Sequence, residues 1–312
     1  MDGPSIVAIG GGTGLPVVLR AVRKYAGTVT AIVTVADDGG SSGRLRRDLG
    51  ILPPGDIRNC LVALADERTP MAKVFQYRFG CGGGIAGHSV GNLIIAALAD
   101  IRGDFAKAID DAAKILGACG RVLPSTASSV SLRATTARGG RVVGQRRIAR
   151  IRKPIARIFL DPPDPPAHPE TVEAILKADQ VIVGPGSLYT SILPNLLVPE
   201  VREAMAATKA KKVFVMNVMT QPGETSECTA LDHIEALMRH CGEVIVNAVL
   251  ANVADGEPEG LAPAEGGRHY IRPCAEKIES MGLRVTVADV VDETEPSRHD
   301  VDKLSGALKE LL

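Results

Sequence analysis

The chain opens on a short apolar run, 6–9, that stops abruptly at Gly10-Gly11-Gly12-Thr13-Gly14. From 15 to 25 the side chains Val18, Leu19, Val22 and Tyr25 recur at helical spacing. Residues 28–36 are then apolar and β-branched, as in a strand buried on both faces of a parallel sheet. Strand, glycine turn, helix and strand make a βαβ unit. Helical patterns follow at 56–66, 71–79, 92–98, 105–116, 170–178, 230–240 and 274–281, and strand patterns at 180–183, 212–217, 244–251 and 284–288. This alternation predicts a Rossmann-like α/β fold: a doubly wound, mostly parallel sheet with helices on both faces.

Three stretches depart from the pattern. Residues 37–43, Asp-Asp-Gly-Gly-Ser-Ser-Gly, are too polar to read as anything but a loop. Residues 80–87 read as a mobile glycine-rich loop. Runs 130–133 and 141–143 flank Gly139-Gly140, which predicts a small β-hairpin region around 130–160. The basic stretch Arg146, Arg147, Arg150, Arg152, Lys153 and Arg157 after it alternates with apolar residues and reads as a solvated face. Five prolines within 161–169 make an extended linker. A single domain over 1–312, with a subdomain insertion at about 125–168, accommodates all of this.

Composition narrows the function classes. With 45% hydrophobic and 23% charged residues the chain can bury an ordinary core. Net charge is zero and aromatics are 3% with no tryptophan, which speaks against a nucleic-acid surface. No apolar run reaches membrane-spanning length and no signal peptide is evident, so a cytoplasmic location without membrane insertion is expected. The six cysteines form no C-x-x-C pair and read as reduced, packed thiols.

Candidate chemistry gathers where strands end. Glycines after the first strand let a phosphate approach the backbone, and the next helix offers free N–H groups and a positive dipole end. Gly11, Gly12, Thr13 and Gly14 are therefore candidate phosphate contacts. Leu15 stands where the dinucleotide fingerprint needs its last glycine, and no Walker lysine follows. Asp37 and Asp38 close the second strand; they suit a ribose hydroxyl, a Mg²⁺ ion or a base, with Ser41 and Ser42 as further donors. Asp56, Arg58 and Asn59 open an otherwise apolar helix, and Asp56 also suits a helix cap. His88 and Asn92 lie in a glycine-bearing stretch before another helix, so His88 joins the two aspartates as a candidate catalytic group. Gly184, Gly186 and Ser187 repeat the strand-to-glycine turn. Asn217, Gln221 and Glu224 belong to a polar loop after a later strand, and Arg298 to a polar triplet near the C-terminus.

Eight stretches in chain order carry a resemblance: IVAIGGGTGL at 6–15, VTVADDGGSSGRLR at 33–46, PPGDIRN at 53–59, FQYRF at 75–79, GHSVGNL at 87–93, GPGSLYTSILPNLLV at 184–198, NVMTQPGET at 217–225 and RHD at 298–300. Together they resemble the YvcK family of bacterial gluconeogenesis factors, within the CofD-like superfamily. The resemblance implies a CofD-like fold, binding of a UDP-sugar such as UDP-N-acetylglucosamine, and a role in cell shape and peptidoglycan synthesis during gluconeogenic growth, without an established activity. The CofD branch itself transfers a phospholactyl group to a deazaflavin with Mg²⁺. This chain departs from the family pattern at Glu200, at Glu227-Cys228, where the family has a Gly-Tyr pair, and at Gln145, a structural position that the family fills with an acid. The leading expectation is a UDP-sugar-binding regulatory protein with cell-envelope partners. The alternatives are a CofD-type transferase and an NAD-binding protein; a homodimer is expected in each case.

Overall fold

The computed structural model describes residues 3–151, 153–253 and 268–312. Seven strands form one all-parallel sheet: β1 (Ser5–Gly10), β2 (Thr28–Val33), β3 (Arg121–Pro124), β7 (Gln180–Val183), β8 (Lys211–Val215), β9 (Ala248–Asn252) and β10 (Arg284–Ala288). Their order is β10-β9-β8-β7-β1-β2-β3. The chain thus builds outward from β1 in one direction, returns, and builds outward from β7 in the other. Helices cover both faces of the sheet. Helix Gly14–Val22 packs with helices Gly55–Leu64 and Val301–Glu310, while helix Pro169–Lys177 packs with Pro199–Ala207. The expected Rossmann-like fold is therefore present, and the switch point between β1 and β7 opens a crevice at the strands' carboxyl ends.

The hairpin region is also present, with one strand more than foreseen. β4 (Ser131–Thr136) pairs antiparallel with both β5 (Arg141–Val143) and β6 (Ile155–Asp161). Two contacts pin this small sheet to the body: the Ile158 amide donates to His240 Nε2 at 3.0 Å, and the Arg146 amide donates to Asp38 Oδ1 at 2.8 Å. Of the basic stretch, Arg146, Arg147, Arg150, Lys153 and Arg157 are exposed, and Arg152 lies outside the described residues.

The loop predicted at 37–43 is in part a helix, Gly40–Leu49. Burial overrides the low helix propensity of its Gly-Ser-Ser-Gly start, because both serine side chains find partners inside the protein. The thiols are all free, but Cys81 and Cys119 are exposed rather than packed. No described helix is long and apolar enough to cross a membrane.

A polar tie crosses the sheet's N-terminal half. Buried Gln180 accepts from the Tyr25 hydroxyl at 2.8 Å and donates to the Leu308 carbonyl at 2.9 Å, joining the turn after helix Gly14–Val22 and the helix Val301–Glu310 to β7. Gln180→Leu leaves the half-buried Tyr25 hydroxyl without this partner and takes one of two donors from the Leu308 carbonyl, which keeps the Leu311 amide; it is expected to lower unfolding stability by about 1 kcal/mol, read from urea denaturation midpoints.

Candidate functional site

The crevice is a cleft of about 430 Å³ between two glycine turns. One wall is Gly11, Gly12, Thr13 and Gly14 after β1; the other is Pro185, Gly186 and Ser187 after β7. The turns are glycine-built because they nearly touch. A Cβ on Gly14 would lie 2.4 Å from the Pro185 carbonyl oxygen, and one on Gly11 would lie 2.8 Å from Asp56 Oδ2. Gly12 also adopts φ +65°, which favours glycine. Helix Gly14–Val22 starts beside the cleft, which Thr13, Gly14 and Val17 line, and it starts without a side-chain cap.

Asn217 fixes the second turn. Its amide accepts from Gly186 N–H at 2.9 Å and donates to the Gly186 carbonyl at 2.8 Å. Asn195 fixes the first: buried in the run that follows Ser187, it donates to the Gly10 carbonyl at 3.0 Å and to that of Ser191 at 2.8 Å. Gln221 and Arg298 complete the cleft as expected, Arg298 at an exposed rim where it pairs with Glu295 at 2.7 Å. Glu224 stands behind the wall instead. Burial raises its pKa, and it accepts from Thr190 Oγ1 at 2.7 Å and the Tyr189 amide at 3.3 Å. Gly184 enters the second turn at φ +81° without lining the cleft.

A second group of foreseen residues lies outside the cleft lining. Asp37 accepts from the Gly39 amide at 2.9 Å, and burial, then its neighbour Asp38, raises its pKa against that bond. Asp56, partly buried, links the two groups. It reaches the Gly11–Gly12 backbone on one side and interacts with Asp37 and Arg58 on the other. Burial, reinforced by Asp37, lifts its pKa to about 6. Ser42 Oγ accepts from the Gly55 amide at 3.1 Å. Ser41 Oγ receives the Asn92 amide at 3.0 Å and sits 2.9 Å from His88 Nδ1. Arg58 donates to Ser89 Oγ and, at 2.6 Å, to Asn59 Oδ1.

Sequence reasoning missed part of the lining. Gln145, read as structural, lies in the cleft wall together with Ala149, carried there by the short helix Gln145–Ile148 after β5. Thr190, Ser191, Thr220, Arg268 and His299 line it as well. His299 stays neutral: burial lowers its pKa to about 4, and Nε2 donates to the Met216 carbonyl at 3.0 Å. The one available signal was the lone Asn195 and its hydroxyl neighbours within an apolar run.

Fold and crevice together define a doubly wound α/β protein of the Rossmann-like class, with paired glycine turns at its switch point. The chain belongs to the CofD family, whose model, described as 2-phospho-L-lactate transferase CofD, matches residues 6–291. It is 46% identical over 317 residues to the gluconeogenesis factor of Bacillus subtilis, covering 99% of this chain and 98% of that one. It is 45% identical over 316 residues to the gluconeogenesis factor of Halalkalibacterium halodurans, covering 99% and 97%. A crystal structure of a UPF0052 family member from Bacillus halodurans superposes with a TM-score of 0.92 at 43% identity, covering 99% of this chain and 100% of that one.

Asp56 makes the site's charge state visible in solution. An acid with a raised pKa contributes its stabilisation below its unfolded value, and that contribution is lost as pH rises through about 6. Asp56→Asn is neutral throughout. It is expected to match wild type near about pH 4 and to exceed it by on the order of 2 kcal/mol above about pH 7, in urea melts across the range.

Proposed function

We propose that the cleft binds a nucleoside diphosphate sugar of the UDP-N-acetylglucosamine type, and that the protein acts in the cytoplasm as a regulator of cell-envelope synthesis during gluconeogenic growth. The observation that carries the reading is the convergence of two glycine turns on one cleft at the switch point. In this reading the diphosphate lies along the Gly12 and Gly14 backbone at the uncapped helix start, with Thr13 as a hydroxyl donor. Ser187 and Gln145 face the sugar, and Arg268 at the rim favours the anionic ligand, Arg298 there being paired with Glu295. The names of the relatives support the physiological part of the reading: two are gluconeogenesis factors aligned over nearly their whole length.

A second reading, phosphoryl-type transfer as in the name of the family model, rests on Asp37 and Asp56. These neighbouring carboxylates each have a raised pKa, and neither forms an ion pair among the described residues. That suits a divalent cation. Among the described residues no group of three or more His, Cys, Asp or Glu could hold a metal, so phosphate and water oxygens would complete the shell, as is common for Mg²⁺. When bound there, Mg²⁺ would neutralise phosphate charge. In this reading Asp37 and Asp56 orient the ion and Thr13 orients the phosphate.

Calorimetry with UDP-N-acetylglucosamine tests the first reading. Saturable heat is expected, with affinity about 3- to 10-fold weaker in Thr13→Val, which removes one hydroxyl donor at constant shape. Absence of heat at millimolar ligand would overturn it. Affinity is also expected to rise as pH falls through about 6, because protonating Asp56 removes a negative charge beside the Gly11–Gly12 backbone. A flat profile in Asp56→Asn assigns that dependence.

A further inference from the structure

Three arginines converge on the segment from Ala86 to Ser89, away from the cleft. Arg44 donates to the Ala86 carbonyl at 2.7 Å, Arg78 donates to the Gly87 carbonyl at 2.6 Å, and Arg58 donates to Ser89 Oγ. Among the described residues none of the three forms an ion pair with a carboxylate. Arg58 is only 6% exposed, and its Nε has no hydrogen-bond partner. Its side-chain partners, Ser89 and Asn59, are neutral. Asp56 acts on Arg58 only at a distance, without an ion pair; a buried guanidinium with no carboxylate in contact is costly, and its unpaired Nε points to an anion that completes it.

The polar chain beside Arg58 runs in a direction that suits an anion. Asn92 donates to Ser41 Oγ, and the Ser41 hydroxyl lies 2.9 Å from His88 Nδ1. When that hydroxyl donates to Nδ1, the imidazole N–H sits on Nε2 and is available to an anion. Arg78 is exposed, Arg44 half-buried and Arg58 buried, so positive charge leads inward from the surface. None of Arg44, Arg58, Arg78 and His88 lines the glycine-turn cleft. Asp56, with Asp37 beside it, lies at the join between the two places and would repel a polyanion laid across both.

We propose a second anion site at Arg44, Arg58, Arg78 and His88, separate from the glycine-turn cleft, that takes the phosphate group of a second small molecule. Two classes of ligand share that chemistry, a reaction partner for the cleft's ligand and an effector that reports metabolite level. Both present a compact phosphate to the same four side chains.

The test uses the full chain and inorganic phosphate as probe, followed by calorimetry and by ³¹P line broadening. Saturable binding is expected in wild type and in Thr13→Val, which removes a hydroxyl donor from the cleft at constant shape. Binding is expected to fall about ten-fold or more in Arg78→Ala and in Arg44→Ala, each of which removes a charged donor. These two replace Arg58 as test positions because its burial makes folding of an Arg58 variant the first casualty. Binding that is absent in wild type, unchanged in both arginine variants, or lost in Thr13→Val overturns the proposal. Saturating UDP-N-acetylglucosamine is expected to leave phosphate binding in place, and Arg78→Ala to leave the UDP-sugar affinity unchanged. If UDP-N-acetylglucosamine gives no heat while phosphate still depends on Arg78, the cleft reading fails and the second site stands.

Discussion

The Gly14 backbone passes so close to the Pro185 carbonyl that no side chain fits between them, and this contact joins the two halves of the sheet at their seam. β1 and β7 are neighbours in the sheet but are separated by more than half of the chain. Their turns meet only because both are built from glycine, and because amides from outside the turns hold them: Asn195 on the Gly10 carbonyl and Asn217 on both backbone groups of Gly186. The uncapped helix start and the cleft beside it are consequences of that approach. Bulk at either turn would push β1 and β7 apart or close the crevice.

The sheet was legible because its inner strands are buried on both faces, so their apolar runs are nearly unbroken. The boundaries of β7 and β10 and of helix Phe105–Leu116 follow directly from the pattern. Where polar residues are buried, local pattern loses its meaning. Gly40–Leu49 looks like a loop because its serines and glycines have poor helix propensity, yet Ser41 and Ser42 are almost wholly buried and bonded to His88 and Gly55. β3 is short and ends on Pro124, which gives alternation too little length to register.

The candidate site divides along the same line. Glycine turns at strand ends announce themselves, since few other roles demand such clustering. Gln145 does not, because it reaches the cleft on an insertion whose docking depends on distant contacts such as Arg146 to Asp38. Glu224 shows the converse: a conspicuous acid in a polar loop turns out to hold Thr190 and Tyr189 behind the wall. The two charge imbalances, carboxylates at Asp37 and Asp56 and guanidinium groups around Arg58, become apparent only when partners are known in three dimensions.

The small antiparallel sheet contributes its short helix to the cleft while taking no part in the parallel sheet that supports the glycine turns. Floor and roof are therefore made by separate pieces of chain. The floor, fixed by backbone contact, admits almost no variation. The roof hangs from a hairpin whose residues can be exchanged without disturbing that seam. Relatives with this arrangement can keep the glycine turns and vary the side chains that the small sheet brings to the cleft.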